Sequence, residues 1–134
     1  MAVISDPIAD FLTRIRNATR AQHRHVDVDW SKMKENIAQI LKAKGFIEAF
    51  LVKHENSHRG TIRLILKYTD GRQPVIKGMK RMSKPGRRWY VDCEGIPQFF
   101  GGLGVPILST SKGVIAGYEA AREGVGGELL CLVW

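Results

Sequence analysis

The chain contains 134 residues, of which 44% are hydrophobic, and its formal net charge is +8 at neutral pH. A chain of this length can bury a modest core, in one domain or in two small ones. No apolar stretch approaches the roughly 20 residues that span a bilayer. The N-terminus also lacks a basic segment followed by an apolar one, so we expect a soluble protein that is not exported. The two cysteines, Cys93 and Cys131, have no Cys-x-x-Cys spacing, and we expect no disulfide between them.

The first residues predict an amphipathic helix. Asp6 suits the N-cap position, because its carboxylate can accept a hydrogen bond from a backbone N–H of the first turn, and Pro7 suits the first helical position. Apolar residues recur at helical spacing as far as about Arg20. The opposite side is polar, which usually means only that it faces solvent, although it could also contact RNA. That polar side carries Asp10, Thr13, Arg14, Asn17 and Arg20.

The next segment predicts a strand, a second helix and a β-hairpin. Alternating residues 26–29 indicate a short strand, and Ser31 is a good cap for a helix that Gly45 would stop. Residues 46–53 and 61–68 are typical of two strands of a hairpin. Together these elements predict a small two-layer unit, with two helices packed on a short sheet.

A turn-rich segment, residues 69–74, predicts the boundary between two small domains, residues 1–70 and 71–134. The second domain is predicted to be β-rich, with glycine-rich loops and a short helix over residues 118–123. The predicted fold class is therefore α+β, with a sandwich-like N-terminal α/β unit and a C-terminal β-rich unit. The short strands predicted in the second domain are residues 75–76, 88–91, 107–108 and 129–133.

Positive charge is concentrated in one segment. Seven cations and no acid occur from Arg72 to Arg88, whereas the residues beyond Arg88 include two cations and five acids. Such a segment could be only a solvated loop, but the prolines, glycines and aromatic residues near its cations favour a strand and turn that face a polyanion. Charge alone does not distinguish RNA from DNA or from an anionic membrane. The seven cations are Arg72, Lys77, Lys80, Arg81, Lys84, Arg87 and Arg88.

Three hydroxyl side chains, Ser109, Thr110 and Ser111, precede Lys112 and Gly113 directly after a short apolar run. Hydroxyls can exchange hydrogen bonds with phosphate and ribose oxygens, the ammonium attracts phosphate, and glycine permits close approach of the backbone. Two other interpretations are open. The hydroxyls could bond to their own backbone, or the loop could bind a nucleotide phosphate, although the glycine spacing of a P-loop is missing.

Two further side chains are candidates for contact with RNA. Tyr90, beside the cationic segment, could stack on an exposed base or belong to the core. Glu128 could accept a hydrogen bond from the amino group of a base. It could also pair with a nearby arginine or simply face solvent.

The sequence predicts neither a metal site nor a catalytic site. His23 with His25, and His54 with His58, lie in polar segments without the cysteines or the helix that would preorganise zinc ligands. No His–Asp relay or carboxylate pair accompanies the serines and cysteines that could act as nucleophiles. We therefore expect a binding protein that is not an enzyme and that uses no cofactor.

Five segments, spread over almost the whole chain, resemble one ribosomal family in the same order. They are similar to the eighth protein of the small ribosomal subunit, in its bacterial or organellar form. The sequence departs from the family pattern after Gly113-Val114, where Ile115-Ala116-Gly117-Tyr118 stands in place of a threonine-aspartate-arginine-type stretch. The five segments are residues 6–10, residues 12–18, Arg81 with residues 83–86, residues 107–114 and residues 124–130.

The resemblance implies a primary RNA-binding protein of the ribosome, in the cytoplasm or in an organelle. It would bind the central domain of small-subunit ribosomal RNA, help to assemble the platform and contact neighbouring small-subunit proteins. Repression of its own messenger RNA is a further hypothesis, and a nonspecific nucleic-acid chaperone is the alternative function. The residues expected to bind RNA are Ser109, Thr110, Ser111, Lys112, Gly113, Glu128, Tyr90, Lys84, Arg87, Arg88, Arg81, Asp6, Pro7, Thr13, Arg14, Arg16 and Asn17.

Overall fold

The computed structural model describes residues 6–134, and within that range it contains three α-helices and eight strands. All strand pairs are antiparallel, so the α+β class predicted from the sequence is confirmed. The helices are α1 (Pro7–Arg20), α2 (Lys32–Ala43) and α3 (Gly117–Glu123). The strands are β1 (His25–Asp29), β2 (Ile47–His54), β3 (Gly60–Leu66), β4 (Met79–Arg81), β5 (Tyr90–Val91), β6 (Val105–Thr110), β7 (Gly113–Ala116) and β8 (Gly127–Val133).

The chain forms two compact units. One comprises residues 11–77, and the other comprises residues 6–10 together with residues 78–134. The domain boundary predicted between residues 70 and 71 stays a prediction.

Helix α1 begins at Pro7, after an Asp6 cap, as the sequence predicts. The Oδ1 atom of Asp6 accepts a hydrogen bond from the backbone N–H of Ala9 at 3.2 Å. This bond satisfies one of the N–H groups that the start of a helix leaves without a partner. The same carboxylate accepts from Nε of Arg81, at 3.2 and 3.0 Å. Only 9% of the Arg81 side chain and 17% of the Asp6 side chain are exposed, so this ion pair is largely shielded from water.

In the unit of residues 11–77, the three strands have the order β1-β3-β2, and α2 packs on β2. Ser31 caps α2 as predicted, because its Oγ atom accepts from the backbone N–H of Lys34 at 3.2 Å. The chain leaves α2 through Gly45, whose φ of +80° is a conformation that glycine adopts without strain. The predicted strand and hairpin are confirmed as β1, β2 and β3. The buried core of this unit includes Val28, Ile37, Leu41, Ile62 and Leu64.

Strand β8 is the central strand of the second sheet. It pairs with β4 and β5 along one edge and with β6 along the other, and β7 pairs in turn with β6. Helix α3 packs on β6 and β7. Its first residue, Gly117, lies so close to Pro106 that a Cβ atom there would be 2.6 Å from the proline ring. The start of β8 therefore lies between β5 and the end of β6 that leads into the β6–β7 turn.

A bulge at Leu130 interrupts β8. The residues on either side of it pair with adjacent residues of β6, Leu108 and Ile107, so Leu130 has no partner on that strand. Its carbonyl oxygen accepts from Nη1 of Arg81 at 2.6 Å and from the backbone of Met82 at 2.9 Å. Because of the extra residue, side chains from both halves of β8 reach the same core. That core comprises Met82, Leu108, Ala120, Leu129 and Leu132.

The second sheet differs in part from the sequence prediction. The strand predicted at residues 75–76 is wrong, because the chain closes a turn by pairing Tyr68 with Pro74, and the next strand begins at Met79. Strands β4 and β7 are not predicted, since segments of three and four residues are too short to show a period. The short helix predicted at residues 118–123 is confirmed as α3.

Replacement of Asp6 separates its two roles. Asp6→Ala removes the helix cap and leaves Arg81 without its counter-charge, so we expect a loss of about 3–5 kcal/mol in the free energy of unfolding. Asp6→Asn keeps a cap acceptor, and we expect it to be about 1 kcal/mol less damaging than Asp6→Ala. Urea unfolding of the three proteins provides the measurement. Equal stabilities of the Asn and Ala variants would show that the cap contributes nothing.

Candidate nucleic-acid interface

The hydroxyl loop, residues 109–113, forms the turn between β6 and β7. Thr110 pairs with Gly113 across the turn, and the φ of Gly113 is +104°, which favours glycine. The Thr110 hydroxyl donates to the carbonyl oxygen of Gly113 at 2.8 Å and accepts from the backbone N–H of Lys112 at 3.1 Å. At Thr110, therefore, the interpretation that a hydroxyl bonds to its own backbone is confirmed, and this hydroxyl fixes the shape of the turn.

The two serines of the hydroxyl loop are placed differently. Ser109 is half-buried on β6, and Ser111 is exposed at the turn. Within residues 6–134, neither serine hydroxyl has a hydrogen-bond partner. The donor and acceptor capacity of both hydroxyls is therefore available to a ligand.

Ser109 stands in a row with two other predicted site residues. Glu128 on β8 pairs with Ser109 on β6 and with Tyr90 on β5. Residues directly opposite each other on neighbouring strands project to the same face of a sheet. The side chains of Tyr90, Glu128 and Ser109 therefore lie side by side. Tyr90 is 68% exposed, which rules out the alternative that it belongs to the core.

Two donors hold the Glu128 carboxylate. Its Oε2 atom accepts from Oγ of Ser83 at 2.6 Å and from Nη1 of Arg88 at 2.8 Å. Burial raises the pKa of Glu128, but the hydrogen bonds from Ser83 and Arg88, with the positive charge of Arg88, lower it further than burial raises it. Glu128 is therefore ionised at neutral pH. Its pairing with a nearby arginine is confirmed, and its contact with RNA stays a prediction.

Ser83 supports this arrangement, although it is not among the site residues predicted from the sequence. It is fully buried, and its Oγ atom accepts from the backbone N–H of Trp89 at 3.0 Å while it donates to Glu128. The backbone N–H of Ser83 donates to the carbonyl oxygen of Leu129 at 2.9 Å, so the sheet fixes its position. Ser83 and Glu128 are 45 residues apart in sequence, and no local pattern indicates such a contact.

Lys84 and Arg87 close a tight turn through Pro85 and Gly86. The backbone N–H of Lys84 donates to the carbonyl oxygen of Arg87 at 3.1 Å, and the reverse bond is 2.9 Å. The turn and its flanking strands border an open groove of about 600 Å³, which we call the cationic groove. Four of the predicted RNA-binding cations are thereby brought together beside Tyr90. The cationic groove is lined by Lys80, Arg81, Met82, Lys84, Arg87, Arg88, Trp89 and Tyr90.

Gly126 and Gly127 allow β8 to begin between two close neighbours. A Cβ atom on Gly126 would lie 2.3 Å from the carbonyl oxygen of Val91, and one on Gly127 would lie 2.1 Å from that of Ser109. No larger residue fits at either position unless β5 or β6 moves away. The two glycines therefore set the spacing of the row that contains Tyr90, Glu128 and Ser109.

Arg81 and Asp6, both predicted to bind RNA, are occupied with each other and with the protein backbone. Pro7 is exposed at the start of α1. All three belong to the same compact unit as the hydroxyl loop. The shielded ion pair gives Asp6 and Arg81 a structural role, and contact of these three residues with RNA stays a prediction.

The remaining predicted residues lie on α1. Thr13, Arg14 and Asn17 are exposed, and Arg16 is half-buried. They belong to the unit of residues 11–77, whereas the hydroxyl loop belongs to the other unit. Their participation in RNA binding stays a prediction.

The described chain offers no metal site and no membrane-spanning helix. Among residues 6–134, no three His, Cys, Asp or Glu side chains are grouped so that they could hold a metal ion, and no helix there has the length and apolarity to cross a bilayer.

Cys93 and Cys131 are both free thiols. Burial raises the pKa of Cys131 to about 12, so this thiol is not a nucleophile at neutral pH.

A family model of ribosomal protein S8 matches residues 6–134. The chain belongs to the ribosomal protein S8 family. Among its relatives, small ribosomal subunit protein uS8 of Protochlamydia amoebophila is 64% identical over 98% of this chain and 99% of its own length. The proteins of the same name from Chlamydia felis and Chlamydia pneumoniae are 54% and 55% identical over the full length of both chains.

Membership of this family confirms the resemblance seen in the five sequence segments. The S8 family consists of ribosomal proteins, so the chain is a structural component of the ribosome. The match extends over both compact units and includes every residue predicted to bind RNA.

The close approach at Gly127 can be tested by substitution. Gly127→Ala places a methyl group against the backbone of Ser109, and we expect this overpacking to lower the free energy of unfolding by about 1–3 kcal/mol. Gly71→Ala is the matched control, because a Cβ atom there has no neighbour within 4 Å. Urea unfolding midpoints of both variants should differ clearly. A Gly127→Ala protein as stable as the control would contradict the close approach of β6 to β8.

The ionised state of Glu128 gives stability a pH dependence. Because its pKa in the folded protein is below the ordinary 4.5, the charged carboxylate contributes stability that is complete above that pH. This contribution is lost as the pH falls through the lowered pKa. We expect the stability difference between wild type and Glu128→Gln to be constant from about pH 7 to 5.5 and to shrink below about pH 4.5. Urea midpoints across a pH series test this, and a difference that grows on acidification would contradict it.

Proposed function

We propose that the protein is a primary RNA-binding component of the small ribosomal subunit. It binds the central domain of small-subunit ribosomal RNA, helps to assemble the platform, contacts neighbouring small-subunit proteins and catalyses no reaction. The names of its relatives, which are small ribosomal subunit proteins, support the assignment to that subunit. The surface of the second sheet supports the binding of RNA.

One observation carries this proposal, namely that Tyr90, Glu128 and Ser109 form a row beside the cationic groove. An exposed aromatic ring can stack on a base, a carboxylate can accept from an amino group, and a hydroxyl can bond to ribose or phosphate. A surface that attracts polyanions by charge alone would need neither the carboxylate nor the hydroxyls. The row therefore favours an RNA of defined shape over polyanions in general.

The cations supply affinity that does not depend on sequence. Lys84, Arg87, Arg88 and Lys112 are all exposed and would neutralise phosphates, which releases bound counterions and makes binding sensitive to salt. The predicted residues of α1, Arg14 and Arg16 included, would add contacts of the same kind. Shape and sequence preference would then come from the serine hydroxyls, Tyr90 and Glu128.

Glu128 has a particular role in this proposal. A carboxylate near phosphates is repelled, but Arg88 supplies a positive charge 2.8 Å away that offsets the repulsion. Ser83 and Arg88 both bind Oε2, so Oε1 is the atom that would accept a hydrogen bond from a base amino group. Asp6 and Arg81 position β4 and the bulge of β8, and any contact of theirs with RNA would come in addition to that structural role.

The division between affinity and preference can be measured with three RNAs: a central-domain fragment, a scrambled control and the leader of the protein's own messenger. We expect wild type to prefer the fragment, and the leader if the protein represses its own synthesis. Ser109→Ala with Ser111→Ala removes two available hydroxyls and should weaken binding to the fragment by about 1–3 kcal/mol, with its salt dependence unchanged. Lys84→Ala with Arg87→Ala should weaken binding to every RNA and lower the salt slope by about 0.7–0.9 for each cation.

Ser57→Ala is the matched control, because Ser57 is an exposed serine in the loop between β2 and β3. Thr110→Ala is measured separately, since its hydroxyl fixes the turn and its loss changes the loop as well as the contact. Equal binding of the fragment and the scrambled RNA would overturn the proposal in favour of a nonspecific nucleic-acid chaperone. A leader that binds no better than the scrambled RNA would remove the hypothesis of self-repression alone.

A further inference from the structure

Lys112, to which the proposed function assigns an RNA phosphate, has a partner within the protein. Its Nζ atom lies 3.0 Å from Oε2 of Glu123, in the last turn of α3. The backbone N–H of Lys112 is bound by the Thr110 hydroxyl at 3.1 Å, so the turn holds the start of the lysine side chain in place. The hydrogen bond from Lys112 lowers the pKa of Glu123, and the carboxylate is ionised at neutral pH.

This ion pair contributes little to the stability of the fold. The side chains of Lys112 and Glu123 are 55% and 44% exposed, and exposed pairs of this kind are weak. Glu123 also directly precedes the helix C-cap, Gly124, where the partial negative charge of the helix end disfavours a carboxylate. Both partners remain accessible from solvent, so an RNA phosphate can approach the same ammonium.

We infer that Glu123 competes with RNA phosphate for Lys112 and thereby limits the charge-driven affinity of the hydroxyl loop. This inference rests on the proposed function and adds a residue that tunes it. In the free protein, the Glu123 carboxylate accepts a hydrogen bond from the Lys112 ammonium, as a phosphate oxygen would. When Lys112 turns to RNA, Glu123 is left as an uncompensated negative charge beside a polyanion and takes up a cation, which reduces the net release of counterions.

The competition acts on charge and leaves the neutral contacts unchanged. Hydrogen bonds from Ser109 and Ser111 do not involve the ammonium, because neither hydroxyl has a partner within residues 6–134. Glu123 would therefore weaken binding to unrelated RNA without weakening recognition by the hydroxyls. RNA binding by the loop then depends more on the contacts of the serine hydroxyls, which are sensitive to RNA shape.

The test uses Glu123→Gln, which keeps the size of the side chain and removes its charge. We expect it to bind both the central-domain fragment and the scrambled RNA about two- to fivefold more tightly than wild type at low salt. This range corresponds to the interaction free energy of an exposed ion pair. The salt slope should steepen by up to about 0.9, because Lys112 then releases a full counterion. The gain should shrink toward 1 M salt, where the Debye length falls to about 3 Å.

Two further comparisons make the result specific to the pair. Glu94→Gln removes an equal charge from an exposed glutamate that has no ion-pair partner in the described part of the chain, and it should change RNA affinity less than Glu123→Gln does. In a Lys112→Ala background, Glu123→Gln should give a smaller gain, because only the repulsion between the carboxylate and the phosphates is then relieved and no ammonium is set free. Urea unfolding of each variant verifies that α3 remains folded.

Each outcome bears on one of the two claims. A Glu123→Gln protein that binds RNA like wild type, that gains no more than Glu94→Gln, or that gains equally without Lys112 would overturn the competition. The proposed function would stand in each of these cases, provided that wild type prefers the central-domain fragment. Loss of that preference would instead remove the proposed function, whatever the effect of Glu123.

Discussion

The backbone pairing of β8 with its neighbours positions the row of Tyr90, Glu128 and Ser109. β6 pairs along one edge of β8, and β4 and β5 pair along the other, so Glu128 lies between Ser109 and Tyr90 without any contact among those side chains being needed. Gly127 permits this pairing, because its missing side chain leaves room for the carbonyl oxygen of Ser109. The chemistry of the surface is thus carried by side chains, while its geometry is carried by main-chain hydrogen bonds that any sequence of suitable size could make.

Three ion pairs in the unit of residues 6–10 and 78–134 differ in exposure. Their exposure decides whether the pair stabilises the fold or can be replaced by a ligand. Asp6 and Arg81 are 17% and 9% exposed and tie the start of α1 to β4. Lys112 and Glu123 are about half exposed, so water and salt weaken their attraction and a ligand can replace either partner. Arg88 and Glu128 lie between these limits, with the arginine 49% exposed and the carboxylate 17% exposed. The same surface therefore carries the Glu128 carboxylate, which is held in place as a hydrogen-bond acceptor, and Lys112, whose partner a ligand can replace.

The sequence predicts the parts of this fold that depend on local signals. Asp6 and Pro7 predict the start of α1, and Ser31 predicts the cap of α2, because caps act within one helical turn. The contact of Asp6 with Arg81 spans 75 residues, and that of Ser83 with Glu128 spans 45. Such contacts depend on how strands associate, and no single segment contains that information.

The same limit applies to the candidate interface. The hydroxyls and cations are recognisable from composition and family resemblance, but their present partners are not. Thr110 shapes the turn, Lys112 binds Glu123, and the two serines have no partner within residues 6–134, although all four are adjacent in sequence. The register of β6 with β8, and the approach of α3 to the turn, separate these roles.

Cys131 gives the second sheet a chemical property of its own. This thiol is completely buried on β8, opposite Arg81 and Ile107. Burial raises the pKa of this thiol to about 12, so the reactive thiolate is scarce at pH 7. Alkylation at Cys131 therefore requires that β8 separate from its neighbours, whereas the half-buried Cys93 is nearer to the reagent. The rate at which Cys131 gains the mass of an alkylating reagent would therefore report how often β8, the central strand, separates from its neighbours.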